Sequence, residues 1–282
     1  MSIYNPVNVA LTAIIFLGFS LAIAFAAPRS ELDPYWDMHD PNSAVRIDHS
    51  PLSVFLDQYR AYGKDGVARI AYGAVTKEDQ KQLNTYLQTL QQVPVRSLNK
   101  KEQFAYWVNL YNTATLALIL EHKPQSSIKE INISPGFFSI GPWGKKYLTV
   151  EGKPVSLNTI EHNILRPIWK DPRTHYVINC ASIGCPDIPE KALSADNLQH
   201  VLNKAAKTYI NHPRGISIEG SRATLSSIYN WFSEDFGNSD DALLDHIRTF
   251  ADQPLMNKLQ TVREIDGYRY DWTLNRVSKA DG

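Results

Sequence analysis

Residues 102–121, with the sequence EQFAYWVNLYNTATLALILE, are apolar on almost every side of a helix. A helix without a polar face lies inside a domain, because no side of it is suited to water. Asn99 precedes the stretch as a helix N-cap, and Pro124 follows His122 and ends it. The sequence therefore predicts one long, central, buried helix around which the other elements pack.

The elements around this helix do not follow a regular βαβ order. Further helices are predicted from Ser50, from Thr76 to Gln92, from Ser156 to Leu165, and near 195–210 and 240–250. Strands are predicted at 67–72, 129–133, 147–150, 175–180 and 268–273, with a hairpin at 215–225. The predicted fold class is α+β: a single domain, residues 46–275, with the central helix packed on a mixed or antiparallel sheet. A polar linker, residues 28–45, precedes it.

Composition excludes several classes of protein. The chain has 282 residues, with 29 Lys and Arg against 29 Asp and Glu. This neutral balance argues against generic nucleic-acid binding, which needs a basic surface. Two cysteines are too few for a disulfide scaffold or a four-thiolate zinc site. No phosphate-binding, nucleophile-elbow or zinc-protease motif is present, so we predict no cofactor and no metal.

The N-terminal segment is typical of export. Residues 9–27 carry no charge and end in Ala24-Phe25-Ala26-Ala27, a small-residue pattern that favours cleavage after Ala26. An uncharged run of about 19 residues is also long enough to stay in a bilayer as an anchor. We expect residues 1–27 to be a signal peptide or a membrane anchor. The rest of the chain is then periplasmic or secreted, or associated with a membrane through residues 9–27 and facing outside the cytoplasm.

Two amides interrupt the central helix. Asn109 and Asn112 lie three residues apart and so share one face. A buried amide without partners costs about 1–3 kcal/mol, so both must be hydrogen-bonded. Either they brace neighbouring backbone, or one of them orients a catalytic or ligand-binding group.

A carboxylate interrupts the helix that follows Ser156. Glu161 lies within the apolar stripe of this helix and is predicted to face inward. A buried carboxylate needs a cation or several donors, and Arg166 and His175 are candidates. His162 is predicted to lie on the surface.

The two cysteines lie in residues 175–186, with the sequence HYVINCASIGCP. In an extended strand His175 and Cys180 are about 16 Å apart, whereas Cys185 lies beyond a loop and could fold back. Four interpretations stay open. They are a reactive thiol activated by a neighbouring imidazole, a Cys180–Cys185 disulfide, a metal site without an obvious fourth ligand, and two inert buried thiols.

Four segments together resemble a known family. They are FAYWVNLYN (104–112), SLNTIEHNILR (156–166), HYVINCASIGCP (175–186) and WFSEDF (231–236). The chain is similar to the family called domain of unknown function 547 over about residues 95–235. The resemblance implies no settled activity. It does imply that one motif set contains Asn109, Asn112, Glu161, Arg166, His175, Cys180 and Cys185.

A looser resemblance concerns the order of elements. A buried helix followed by a strand that begins with His is similar to transglutaminases and papain-like thiol enzymes, in which a Cys opens the helix. Residues 102–121 contain no Cys, so the nucleophile would be Cys180 or Cys185. This resemblance implies a distant transglutaminase-like or papain-like arrangement.

The first functional hypothesis is an exported thiol-dependent enzyme that catalyses acyl transfer or hydrolysis. His175 would be the base and Cys180 or Cys185 the nucleophile, with Glu161 or Asn112 as the orienting group.

The second hypothesis is a non-catalytic envelope module that binds a small molecule or an envelope partner and contains a structural disulfide. The aromatic loop 136–144, GFFSIGPWG, would supply Phe138 and Trp143 as a binding lip. Asn109 and Arg166 are further predicted binding residues.

Overall fold

A computed structural model of the chain describes residues 28–136 and 139–277. The α-helices within these ranges are α1 (Ser50–Tyr59), α2 (Lys77–Gln91), α3 (Lys100–His122), α4 (Arg166–Trp169), α5 (Leu198–Ile210), α6 (Ser227–Trp231), α7 (Asp240–Phe250) and α8 (Gln253–Leu259). A π-helix, Thr159–Leu165, runs directly into α4. The strands are β1 (Arg60–Tyr62), β2 (Ala68–Ile70), β3 (Leu148–Val150), β4 (Lys153–Val155), β5 (Ile216–Glu219), β6 (Arg222–Ser226) and β7 (Glu264–Arg269). The predicted signal or anchor, residues 1–27, lies outside the described residues.

The central helix is α3, and the structure confirms its prediction. The Asn99 side chain accepts hydrogen bonds from the backbone N–H groups of Lys101 and Glu102, which closes the first turn. Every residue from Glu102 to Leu120 is buried. The helix ends where Lys123 adopts a left-handed backbone with φ of 50°. The described residues thus form a single α+β domain whose central helix is buried from Glu102 to Leu120.

The strands form three small sheets. β1 pairs with β2, and β3 with β4, both antiparallel. β5 and β6 form the predicted antiparallel hairpin, and β7 adds to β6 in parallel, which makes this sheet mixed. The central helix contacts α2 and the π-helix, whereas the mixed sheet belongs to a second core.

Two hydrophobic cores meet at the segment that carries the candidate site. The larger core surrounds α3, and the smaller one joins α5, α7 and α8 to the mixed sheet. Tyr176 is buried in the smaller core and the next residue, Val177, in the larger one. His175 and Cys180 therefore flank the point where the chain crosses between the cores.

Two predicted strands, 129–133 and 175–180, are wrong, and a capped 3-10 turn is found at the start of each. The Ser127 side chain and Glu130 form a capping box, which closes the 3-10 turn Ile128–Glu130 where a strand was predicted. The Asp171 side chain accepts the N–H of Arg173 and begins the 3-10 turn Pro172–Tyr176. Proline favours such a first turn, and it removes an N–H that a strand ladder would need.

Candidate functional site

The two amides of α3 both hold backbone. Asn112 donates from Nδ2 to the carbonyl of Val177 at 2.8 Å and accepts at Oδ1 from the N–H of Asn179 at 2.8 Å. Asn109 makes the same pair of bonds to Leu193, at 2.8 and 3.0 Å. Asn112 therefore fixes the backbone between His175 and Cys180, and it is a positioning residue. Both amides are buried, at 0% and 2% exposure for Asn109 and Asn112.

His175 lies between two carboxyl groups. Its Nε2 is 2.6 Å from Oδ2 of Asp235, and its Nδ1 is 3.8 Å from Oε1 of Glu161. The ring stacks on Phe232 with 4.2 Å between centroids. Burial lowers the pKa of His175, and the contact with Asp235 opposes this shift. The imidazole is therefore neutral at neutral pH and donates from Nε2 to Asp235.

Arg166 is buried and engaged by groups of the chain itself. Its Nε donates to Asp235 at 2.6 Å, and Nη2 donates to Glu234. Nη1 donates to the carbonyl of Pro28 at 2.9 Å and to Nδ1 of His162 at 3.0 Å. His162 is buried, so its predicted surface position is wrong. Arg166 ties the π-helix and α4 to the 233–236 turn, and four of its five N–H donors are engaged by groups of the chain itself.

Glu161 faces inward, as predicted, and is buried. Tyr111 donates to its Oε2 at 3.4 Å. Burial raises the pKa of Glu161 to about 8; the Arg166 guanidinium opposes this shift and the charge of Cys180 adds to it. The carboxyl group is therefore protonated at neutral pH.

Cys180 is half-buried and lies against two hydroxyl groups. Its Sγ is 2.9 Å from the Tyr270 oxygen and 3.2 Å from the Ser182 oxygen. These two oxygens are also 2.9 Å apart. Cys180 and Cys185 are both free thiols in the structure. When Cys180 is a thiolate, Tyr270 donates to the sulfur, and the Ser182 proton is shared between the sulfur and Tyr270.

The two thiols differ in acidity. The Cys185 thiol, followed by the hydroxyls of Ser182 and Tyr270, hydrogen-bonds to the Cys180 sulfur and lowers the pKa of Cys180 to about 7, although burial opposes the shift. Burial raises the pKa of Cys185 well above its ordinary value, and the neighbouring Cys180 adds to that rise. A half-buried cysteine with a lowered pKa has the character of a reactive thiol.

The predicted pairing of His175 with a cysteine is wrong. Within the described residues, no hydrogen bond joins either ring nitrogen of His175 to Cys180 or Cys185. Both nitrogens face carboxyl groups instead, Nε2 that of Asp235 and Nδ1 that of Glu161. The groups that contact the Cys180 sulfur are hydroxyls and a second thiol.

Half-buried aromatic side chains surround Tyr270. Its ring lies 4.9 Å from Trp231 and 4.6 Å from Trp272, and Trp272 lies 5.8 Å from Trp143. Trp143 is half-buried and also packs against the larger core. Phe138, the other predicted lip residue, lies outside the described residues. The Trp143 part of the predicted lip thus joins an aromatic cluster, which we define as Trp143, Trp231, Tyr270 and Trp272.

Metal ligands and cavities do not add to this site. In residues 28–136 and 139–277, no group of three or more His, Cys, Asp or Glu side chains is arranged to hold a metal ion. A cavity of about 440 Å³ lies between α2 and the β3–β4 turn. It is lined by Gln88, Gln91, Gln92, Val93, Pro94, Thr149, Glu151 and Gly152, and it contains none of the predicted site residues.

Three residues of the site were not predicted as such. Asp235 and Tyr270 are 60 and 90 residues away from their partners in the chain. Asp235 lies in the WFSEDF segment, which was the one available signal for it. Ser182 lies only two residues from Cys180, so the short spacing in the sequence was the available signal for this contact.

We predict a specific pH dependence of stability from Glu161. Its pKa is about 8 when folded and 4.5 in the reference state, so between these values only the folded chain keeps the proton. The stabilisation from this proton is complete below pH 4.5 and is lost as pH rises to 8. Glu161→Gln is expected to remove this loss. The difference in unfolding free energy between wild type and variant then changes by about 1.4 kcal/mol per pH unit in that window.

Urea denaturation at several pH values measures this difference. Glu219→Gln, on an exposed residue of β5, is the control for the substitution itself. A wild-type and Glu161→Gln difference that stays constant across the window would contradict a buried, protonated Glu161.

Comparison with known proteins identifies a family for part of the chain. A family model described as "Protein of unknown function, DUF547" matches residues 95–210. No curated protein and no solved structure matches the chain. In the described residues no helix is long and apolar enough to cross a membrane.

Proposed function

We propose that the chain catalyses thiol-dependent acyl transfer or hydrolysis with Cys180 as the nucleophile. Residues 95–210 match the DUF547 family, whose function is unknown, so this proposal is drawn from the geometry of the chain itself. One observation carries this proposal. The half-buried Cys180 sulfur lies 2.9 Å from the Tyr270 hydroxyl and has a lowered pKa. A thiolate is the nucleophilic form of cysteine, and hydrogen-bond donors favour it at neutral pH.

The backbone at Cys180 supports the same role. Ala181, the next residue, has φ of 57°, in the left-handed region that alanine rarely adopts. Its N–H is held by the Asn179 side chain at 2.8 Å, and its carbonyl accepts from Asn275 at 3.0 Å. Backbone strain held by surrounding contacts is concentrated at functional sites. Here it turns the chain directly after the nucleophile.

The proposed reaction has two steps. The Cys180 thiolate attacks the carbonyl carbon of an acyl donor, and a carbon–sulfur bond forms while the negative charge moves to the carbonyl oxygen. The Tyr270 hydroxyl, no longer needed by the sulfur, donates to this oxyanion. The leaving group departs with a proton from water and a thioester remains. Water or another acceptor then attacks the thioester, the carbon–sulfur bond breaks, and the thiolate returns.

His175 acts in this proposal as a positioning residue. Its imidazole ties Asp235 to the segment that leads to Cys180, and Phe232 covers the ring. Trp231, adjacent to Phe232, contacts Tyr270. The ion pairs of Arg166 with Glu234 and Asp235 are thus linked to the thiol of Cys180. The link runs through two neighbouring aromatic residues, Phe232 and Trp231. This link supports a single site with a structural side and a reactive side.

Turnover of an activated ester tests the proposal. With p-nitrophenyl acetate we expect one acetyl group on Cys180, found by peptide mapping, and release of p-nitrophenol beyond one equivalent. Cys180→Ala should lose both signals, and Cys185→Ser should keep them. Labelling without turnover, or equal turnover by Cys180→Ala, would contradict catalysis by Cys180.

The aromatic cluster favours a second candidate, a binding module for a small molecule or an envelope partner. Lys129 Nζ lies 3.7 Å from the Trp272 ring centroid, which gives this half-buried surface a positive charge. In this alternative Cys180 and Cys185 would form a structural disulfide. The test is the thiol content of the purified, unreduced protein together with turnover. A disulfide in every molecule, together with no turnover even after the disulfide has been reduced, would favour the binding module over the enzyme.

We also propose that the chain is exported and acts outside the cytoplasm. The uncharged residues 9–27 and the small residues before Pro28 support this. Cell fractionation with N-terminal sequencing tests it. A chain that begins at Ala27 in the periplasm or medium indicates a cleaved signal, and an intact chain in the membrane fraction indicates an anchor. An intact chain in the cytoplasm would contradict export.

A further inference from the structure

A tight turn brings Cys185 back to Cys180. The N–H of Cys185 donates to the carbonyl of Ser182 at 3.1 Å, which closes the turn. The backbone N–H of Cys180 then donates to the Cys185 sulfur at 3.1 Å. The left-handed Ala181 reverses the chain between them. The two sulfurs are thus neighbours even though five residues separate them in the sequence.

The end of the described chain holds this turn rigidly. The N–H of Ile183 donates to Thr273 at 2.8 Å, and the N–H of Gly184 donates to Asp271 at 2.8 Å. A Cβ atom on Gly184 would lie 2.6 Å from the backbone nitrogen of Asp271, so only glycine allows this close approach. The contact between the two thiols is therefore built into the fold and does not depend on a mobile loop.

The two thiols are unequal in exposure. Cys180 is half-buried and its sulfur reaches Tyr270 at the aromatic cluster, whereas Cys185 is buried and its sulfur lies 3.8 Å from the carbonyl oxygen of Ile178. The pKa values differ in the same direction, lowered for Cys180 and raised for Cys185. A half-buried thiol with a lowered pKa beside a buried thiol is the arrangement of an attacking and a resolving cysteine.

From this geometry we propose that Cys180 and Cys185 form a redox-active dithiol that reduces small organic disulfides and is itself converted to a Cys180–Cys185 disulfide. This activity goes beyond acyl transfer, because its substrate is a disulfide and its second step needs Cys185. Oxidation also removes the Cys180 nucleophile, so the two activities exclude each other in one molecule.

The exchange balances in two steps. The Cys180 thiolate attacks one sulfur of a disulfide R–S–S–R; a Cys180–S–S–R bond forms, and one RS⁻ leaves and takes a proton from water. Cys185 then loses its proton to solvent and attacks the Cys180 sulfur. The Cys180–Cys185 bond forms, the mixed disulfide breaks, and the second RS⁻ leaves. The protein loses two electrons, and the external disulfide gains them to become two thiols.

Oxidised glutathione is the probe for the test. The reduced native protein is incubated with it, quenched with acid, alkylated and weighed intact. We expect the wild type to lose both free thiols without a stable glutathione adduct. Cys185→Ser should accumulate one glutathione, mapped to Cys180, because the resolving thiol is absent. Cys180→Ser should show at least a tenfold slower loss of its remaining thiol. Dithiothreitol should restore both thiols of the wild type.

Several results would overturn the inference. A wild type that keeps both thiols would show that no exchange occurs. A lasting glutathione adduct on wild-type Cys180 would show that Cys185 does not resolve it. Equal rates for wild type and Cys180→Ser would place the attack elsewhere. The wild-type measurement needs no variant to fold, and ester turnover by the reduced protein is scored separately, so failure of one proposal is distinguishable from failure of the other.

Discussion

Replacement of Arg166 by methionine is expected to lower the free energy of unfolding by about 3–5 kcal/mol. The Arg166 side chain is 1% exposed, and it donates to Asp235 at 2.6 Å and to Glu234. Removing it leaves the Asp235 carboxylate without its cation. Loss of one partner from a buried ion pair is costly, because the remaining charge stays partly desolvated. His162 also loses its donor, and the link between the two helices and the 233–236 turn is broken.

Arg222→Met is the matched control for this variant. Arg222 is 63% exposed and pairs with Glu264 at 3.3 Å on the surface of the mixed sheet. An exposed pair of this kind contributes about 0–1 kcal/mol. Urea denaturation of both variants and the wild type at pH 7 measures the two losses. If Arg166→Met lost no more stability than Arg222→Met, the ion pairs of Arg166 would not be a structural centre of the domain.

Replacement of Tyr270 by phenylalanine is expected to raise the pKa of Cys180 by about 1–2 units. Tyr270 is 2.9 Å from the sulfur and is one of the groups that lower this pKa. A hydrogen bond to a charged group contributes about 1.5–3 kcal/mol, and one pKa unit corresponds to about 1.4 kcal/mol. The shift is measured as the change in the midpoint of the pH profile for iodoacetamide alkylation of the native protein.

Tyr268→Phe, two residues away on β7, is the control. Its side chain is exposed, and it makes the same chemical change without removing a contact to Cys180. We expect its alkylation midpoint to equal that of the wild type. An unchanged midpoint in Tyr270→Phe would mean that the hydroxyl does not stabilise the thiolate, and the oxyanion role proposed for Tyr270 would lose its basis.

The central helix and the inward position of Glu161 could be predicted because local patterns determine them. A cap at Asn99, an apolar surface on all sides and a terminating proline leave few alternatives to α3. The Glu161 prediction needed only the helical period of the residues around it. Both predictions depend only on residues within about one helical turn of each other in the sequence.

The conformation of residues 175–180 could not be predicted in the same way. The apolar run Tyr176-Val177-Ile178 is typical of a strand. In the fold, the side chain of Asn112 satisfies the carbonyl of Val177 and the N–H of Asn179 that a strand partner would otherwise pair. The Asn112 amide belongs to α3, which lies more than 60 residues earlier in the sequence. Local propensity carries no information about it.

The partners of Cys180 and His175 could not be predicted either, because they lie far away in the sequence. Tyr270 reaches Cys180 from beyond β7, and Asp235 reaches His175 from the turn after α6. The sequence placed the reactive residues in one motif set, but it suggested the wrong partner for the thiol. The imidazole contacts carboxyl groups, whereas a second thiol and two hydroxyls hydrogen-bond to the Cys180 sulfur.

The pH profile of native-state alkylation tests most directly whether Cys180 is a reactive thiol with a lowered pKa. The reduced, folded protein is treated with iodoacetamide between pH 5 and pH 10, and the modified residue is identified by peptide mapping. We expect a midpoint near pH 7 for modification of Cys180, with Cys185 unmodified until the protein unfolds. A midpoint at the ordinary cysteine value of about 8.5, or preferential modification of Cys185, would contradict it.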